Sequence, residues 1–283
     1  MLKNPLYAGF CYINGRFFMV ITSRSNPMIV ATAALKERKY REKEGLFLIE
    51  GIKLFEEALK SDIEIKSVFA TKKTYEKCKK TAPELNIIEV SESVYEKIST
   101  EKSPEGVICV AKCIDKIHNI NKIYNKVEFE GSERKILLLS SLRDPGNLGT
   151  VIRSAKAFGC DEIILSSDCA DIYNPKTVRG AMGTLFRQKI SIVESLSDTV
   201  KAMNDGGYKV YAAVLDDKAL PLNRLDIGKK TAFVIGNEGH GIDPEVINAS
   251  GNTVYIPMAE GVESLNAAAA AAVFMWQSMV KEL

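Results

Sequence analysis

The sequence predicts an α/β protein of two domains, on three observations. Short apolar runs that read as buried strands alternate with segments of helical period from residue 46 onward. A polar stretch without sustained periodicity, residues 114–134, divides the chain. Three turns, Asp144–Gly149, Gly236–Gly241 and Pro257–Asn266, each follow such a strand and precede a helix. A length of 283 residues also suits two domains better than one. The expected boundaries are an N-terminal extension at 1–22, a first α/β domain at 23–113, a linker at 114–134 and a second α/β domain at 135–283.

Residues 1–22 place aromatic side chains on both sides of Asn14-Gly15, a hairpin signal. Met19 as the start, with an upstream extension before it, is the equal alternative, and no function is assigned to the segment. Ser25-Asn26-Pro27 is a turn, and one helix is expected from Met28 to about Glu42. Its Lys36, Arg38, Lys39, Arg41 and Lys43, with Tyr40 among them, suit phosphate contacts and base stacking. Glu37, Glu42 and Glu44 make a plain solvated face the simpler reading of this segment alone.

Strands are expected at Leu46–Gly51, ending in that glycine, and at Ile65–Ala70, Asn86–Val90 and Val107–Ala111, with helices at Lys53–Lys60, Thr74–Lys80 and from the N-cap Ser91 to Ile98. Lys72, Lys73, Lys77, Lys79 and Lys80 form a second basic patch, solvated unless RNA is present. His118 reads as an exposed linker residue.

In the second half, Ile136–Leu139 is a buried strand. Pro145-Gly146 then turns into a helix whose Leu148, Val151, Ile152, Ala155 and Phe158 share one face, closed by Gly159 at C′. Further strands are expected at Asp161–Leu165, Lys189–Val193, Lys209–Leu215, Thr231–Ile235 and Thr253–Ile256. Helices are expected at Lys176–Met182, at Ser197–Asp205, after Asp243-Pro244, and over the alanine run Ala267–Ala272. The small residues of Arg179–Gly183 predict close packing there.

Composition bounds the function. The net charge of +2 excludes a strongly basic protein, although residues 1–113 hold 19 Lys/Arg against 15 Asp/Glu. The six cysteines are scattered, and Cys109 and Cys113 have no second pair at zinc spacing. Two histidines exclude a His-rich metal centre, so no metal is expected. Free thiols suit a reducing cytosol. Neither a membrane-length apolar run nor a signal peptide is present, and a cytoplasmic protein is expected.

Loops at strand carboxyl ends line the ligand crevice of an open α/β sheet. None of the three turns is a dinucleotide or NTP-phosphate fingerprint, which disfavours a nicotinamide-dependent oxidoreductase. Asn147, Arg153, Glu238, Ser264 and Asn266 are the polar candidates beside them. Singly, Asn147 and Ser264 read equally as N-caps, Arg153 and Glu238 as surface charges, and Asn266 as a backbone partner near a helix start. The alanine run reads as close helix packing. The coincidence of all five raises the functional reading.

Asn147–Arg153 with Phe158-Gly159, Phe233–Gly241, and Ile256–Met258 through Glu263–Asn266 resemble the three motifs of the SpoU family of RNA ribose 2′-O-methyltransferases, in the wider trefoil-knot (SPOUT) group. Asn26-Pro27, Lys39–Arg41 and Leu46–Gly51 resemble that family's ribosomal-protein-like substrate-binding module. The resemblance implies a C-terminal trefoil-knot domain and an RNA-binding N-terminal domain that uses Lys39, Arg41 and Arg153. It implies S-adenosylmethionine as methyl donor, held by backbone at Gly236, Ile256 and Leu265 with Val214 or Leu215 nearby. It further implies an obligate homodimer, with Arg153 acting across the subunit boundary on the 2′-hydroxyl or a neighbouring phosphate. Asn147, Ser264 and Asn266 would fix loops and ribose, and Glu238 would anchor Arg153 or the cofactor loop. The expected substrate is 23S-type ribosomal RNA. The alternatives are a tRNA or antibiotic-resistance 2′-O-methyltransferase, a base methyltransferase of the knotted group, and a non-catalytic RNA-binding relative.

Overall fold

The computed structural model describes residues 9–13, 16–114, 133–216, 218–237, 239–262 and 264–280. They form two compact units. One contains the described residues up to Ile114 together with Tyr173–Phe186, and the other the rest. His118 and Glu238 lie outside the described residues.

In the first unit, β1 (Gly9–Ile13) and β2 (Arg16–Ile21) pair antiparallel with Ile13 opposite Arg16, as the hairpin reading requires; Asn14 and Gly15 lie outside the described residues. They edge a six-stranded mixed sheet with β3 (Leu46–Glu50), β4 (Ile65–Thr71), β5 (Ile87–Val90) and β6 (Val107–Lys112), in the order β1-β2-β5-β4-β6-β3. Phe47, Phe69, Tyr95, Ile29 and Ile108 are fully buried at its core.

The helix expected from Met28 to about Glu42 is two helices, α1 (Pro27–Ala34) and α2 (Arg38–Glu44). A tertiary contact makes the break. Arg41, 3% exposed, donates through Nη1 to the carbonyls of Leu35 and Lys36 at 2.8 and 2.7 Å, closing the end of α1. Lys36 Nζ turns away to the Lys97 and Ser99 carbonyls at 2.7 and 2.6 Å, and burial pushes its pKa down against the pull of Glu50. The expectation that Arg41 shares an RNA-facing surface with Lys39 is therefore corrected, because its guanidinium is spent inside the unit. Arg41→Ala is expected to destabilise the protein by about 2–3 kcal/mol, read as a lowered urea midpoint, since two carbonyls lose a charged donor.

The remaining helices of this unit are α3 (Ile52–Leu59), α4 (Lys72–Thr81), α5 (Glu92–Ile98) and α7 (Pro175–Gly180). Residues Tyr173–Phe186, inside the stretch 135–283 expected as one domain, group with this unit. The Tyr173 ring lies 4.7 Å from that of Phe47. Gly183, at φ +85°, approaches Glu57 so closely that a Cβ would stand 2.6 Å from the Glu57 Cβ. This is the close packing expected from the small residues there.

The second unit is a seven-stranded sheet in which every pairing is parallel. Its strands are β7 (Ile136–Leu139), β8 (Glu162–Ser166), β9 (Lys189–Val193), β10 (Lys209–Ala213), β11 (Leu220–Pro221), β12 (Thr231–Ile235) and β13 (Asn252–Tyr255), in the order β11-β13-β10-β12-β7-β8-β9. Helices cover both faces, so the central strands Ile136–Leu139 and Thr231–Ile235 are buried on both sides rather than alternating. Leu138, Ile164, Val210 and Val234 pack under α8 (Leu196–Asp205) and α9 (Pro244–Ser250). Phe233 on the opposite face meets Phe274 of α10 (Ala267–Val280), with ring centroids 4.9 Å apart. Helix α10 packs beside α6 (Pro145–Ala157). The chain runs outward from β7 through β8 to β9, then resumes at β10 on the other side of β7. The neighbouring carboxyl ends of β7 and β12 therefore lead into α6 and α9 on opposite faces, the arrangement that opens a crevice.

Candidate active site

The three turns meet at that crevice. Asp144 caps α6, accepting from the Asn147 amide at 2.7 Å. Asn147 is therefore not the N-cap, and its side-chain Oδ1 instead accepts from Asn266 Nδ2 at 3.0 Å. Asn266, not Ser264, caps α10, with its Oδ1 accepting from the amides of Ala268 and Ala269 at 3.0 and 3.3 Å. One amide side chain thus starts α10 and ties it to the start of α6. The alanine run lets the two helices approach, with Ala268 and Ala271 buried on α10 and Val151 and Ala155 buried on α6.

The second turn joins through Asn237. Its Nδ2 donates to the Ser141 carbonyl at 2.9 Å, and its Oδ1 accepts from the Gly239 amide at 2.7 Å. Asn237 and Gly241 also exchange backbone hydrogen bonds of 3.0 and 2.9 Å, folding the loop back on Gly236. A Cβ on Gly236 would stand 2.3 Å from the Gly241 carbonyl carbon.

Ser141 occupies the left-handed region, at φ +55°. Its amide donates to Ser166 Oγ at 2.8 Å, and its hydroxyl to Asp168 Oδ2 at 2.6 Å. Asp168 also accepts from Ser166 Oγ at 2.7 Å and from Arg143 at 3.3 Å. Partial burial pulls its pKa upward, but these three donors outweigh that and hold the carboxyl below the usual range. Asp168 is thus the fixed post behind the first turn. Sequence reasoning missed it, because its partners lie 25 or more residues away for Ser141 and Arg143.

Against the turns lies a cleft of ≈ 400 Å³. The five residues expected to hold the cofactor, Val214, Leu215, Gly236, Ile256 and Leu265, all line it. Val214 and Leu215 do so because β10 ends at Ala213, two residues earlier than expected, and leaves them in the following loop. Ser264 lines the cleft as well. Phe274, Met258 and His240 are lining residues the sequence did not single out; Phe274 was discoverable as the position seven after Ala267, on the same face of α10. No described lining residue is Asp, Glu, Lys or Arg. Such walls suit an apolar heterocycle whose polar edges meet backbone groups, and the volume suits a nucleoside-sized ligand. The group implied by the motifs fits.

Arg153 stands apart from the cleft lining, exposed on α6. It makes no hydrogen bond or ion pair with any described residue. Among the described residues no cluster of His, Cys, Asp or Glu is placed to hold a metal, and no helix is long and apolar enough to cross a membrane.

Comparison with known proteins places these features in a family. Residues 134–276 match the SpoU rRNA Methylase family model, and residues 26–109 match the MRM3-like substrate binding domain. The chain is similar to the Bacillus subtilis 23S rRNA (guanosine(2553)-2′-O)-methyltransferase RlmP, at 31% identity over 90% of this chain and 97% of that protein. It is also similar to human mitochondrial rRNA methyltransferase 3, at 27% identity over 86% of this chain and 69% of that one. Among solved structures, the AdoMet-bound rRNA methyltransferase of Sinorhizobium meliloti aligns with a TM-score of 0.78 and 29% identity, over 94% of this chain and 99% of that chain. With a family model spanning half its length and a relative aligned almost end to end, the chain belongs to the SpoU rRNA methylase family.

Proposed function

We propose that this protein transfers a methyl group from S-adenosylmethionine to a ribose 2′-hydroxyl of large-subunit ribosomal RNA. The observation that carries the reading is the apolar cleft walled by the second and third motif turns, Ser264 included, with the Asn147–Asn266 pair tying the first turn to the third. Relatives named as 23S rRNA 2′-O-methyltransferases and a structural neighbour with bound AdoMet support it.

When bound, S-adenosylmethionine supplies an electrophilic methyl on its sulfonium. Val214, Leu215, Gly236, Ile256 and Leu265 hold and desolvate it. A ribose hydroxyl is a weak nucleophile, so most of the chain's task is placement. Asn147 and Asn266 keep the loops fixed, and Ser264 offers a hydroxyl to the ribose. A guanidinium offers donors and no acceptor, so Arg153 orients the hydroxyl or clamps its phosphate rather than removing the proton. Glu238 anchors Arg153 or the cofactor loop. The first domain binds the RNA, and the second domain carries the family's trefoil knot. The protein works in the cytoplasm without a metal.

Mapping 2′-O-methyl sites in total RNA with and without the gene tests this reading. A ribosomal RNA position whose resistance to alkaline cleavage depends on the gene is expected. Methyl found on a base, or on tRNA alone, overturns it.

The working unit is a homodimer. Ala269, Val273 and Trp276 are exposed at helical spacing on α10, with Val273 at 37% and Trp276 at 48%, and the Phe158 ring lies 5.9 Å from that of Trp276. An apolar stripe of this kind on a soluble surface suits an isologous partner. Trp276→Glu is expected to convert the dimer to monomer in sedimentation equilibrium and to reduce methyl transfer by about tenfold or more.

A further inference from the structure

The two basic helices of the first unit differ in how their charges are paired. On α2, Arg38 pairs with Glu42 at 2.6 Å, Lys39 with Glu37 at 3.1 Å and Lys43 with Glu44 at 3.6 Å, while Arg41 is buried. Its charges are offset where they stand.

On α4, five lysines accompany one acid, Glu76. Lys77 pairs with Glu56 at 3.2 Å. Lys72, Lys73, Lys79 and Lys80 are exposed and have no ion pair or hydrogen bond with any described residue. At 3.6 residues per turn the five lysines cover roughly half the circumference of the helix, opposite the buried Thr74 and Cys78.

This placement works against the helix. Lys72 and Lys73 occupy a first turn that contains no acid, where a cation opposes the macrodipole. Lys79 and Lys80 suit the last turn, and Glu76 lies three or four residues from each of the four, yet none of the four is ion-paired with a described residue, and helix stability does not account for Lys72 and Lys73. The face is held rigidly as well. The Thr71 amide donates to the Gly106 carbonyl at 2.9 Å and Thr74 Oγ1 donates to the same carbonyl, pinning the start of α4 to the loop before β6.

We propose that the exposed face of α4 binds the phosphate backbone of the RNA substrate through Lys72, Lys73, Lys79 and Lys80, and that α2 does not. The inference rests on the reading that the substrate is RNA. A helix of about 15 Å spans several phosphates, and the contacts carry no sequence information.

The test is the salt dependence of binding between the full-length protein and a transcript of large-subunit ribosomal RNA, followed by fluorescence anisotropy. Each double variant, K72Q/K73Q and K79Q/K80Q, is expected to reduce the slope of log K against log salt by about 1.4–1.8, the release expected for two phosphate contacts. K72R/K73R should restore it, and K39Q should leave it unchanged. Cofactor affinity and thermal midpoint report that each variant is folded, and either double variant suffices if the other is not. Slopes equal to that of the unaltered protein in both folded double variants overturn the proposal while leaving the methyl-transfer reading intact. Absence of RNA binding by the unaltered protein overturns both.

Discussion

Arg153→Ala is expected to lower methyl transfer by about 10²- to 10³-fold, with affinity for S-adenosylmethionine changed by less than about twofold. The separation follows from position. Arg153 is exposed on α6, outside the cleft lining, and no described residue depends on it for a hydrogen bond. Its loss should therefore leave the thermal midpoint and calorimetric cofactor binding near those of the unaltered protein. Retained turnover would remove Arg153 from the mechanism.

A mixed dimer extends this test. One subunit of the proposed dimer carries Arg153→Ala and the other Asn266→Ala, each expected to be inactive when paired with itself. If Arg153 reaches across the boundary, one site of the mixed dimer combines an intact Asn266 with the partner's intact Arg153, and about half the activity returns. If it acts within its own subunit, both sites remain defective and no activity returns.

Gly236→Ala should show the opposite pattern. The added Cβ would lie 2.3–2.6 Å from backbone atoms of Gly241 and Ile242, which cannot rotate away as a side chain would. The mutual hydrogen bonds of Asn237 and Gly241 must open, displacing the wall of the cleft. Overpacking of this kind costs about 1–3 kcal/mol. Affinity for S-adenosylmethionine is expected to fall at least about tenfold by calorimetry, since the loop no longer matches the ligand. Unchanged affinity would mean that Gly236 does not contribute to the cofactor wall.

Much of the second unit is legible in the sequence. Ile136–Leu139, Lys189–Val193 and Thr231–Ile235 have the bounds their sequences predict, and for the first and third the reason is double-sided burial, which writes a nearly continuous apolar run. Gly236, Ile256 and Leu265 are legible through the motifs, and the geometry brings all five expected lining residues together. Features produced by tertiary contact were not. The break between α1 and α2 depends on a guanidinium that folds back on carbonyls five and six residues earlier. The two-residue strand Leu220–Pro221 is too short to have a period. Association of Tyr173–Phe186 with the first unit cannot be read from a segment whose own pattern is merely helix and turn. Asp168 in sequence is one more loop acid, and only its three donors distinguish it.

The bond from Asn266 to Asn147 spans 119 positions of chain. Seven strands can be laid down before residue 256, but Ile256, Met258, Ser264, Leu265 and Phe274 have yet to arrive. During synthesis the cleft is therefore among the last features to be completed, after most of the sheet can already have formed. Contacts this distant in sequence are also slow to close, because the loop entropy must be met before they return any stability. A nascent or C-terminally nicked chain would have a sheet but no ligand site, so cofactor binding reports whether the whole chain has folded.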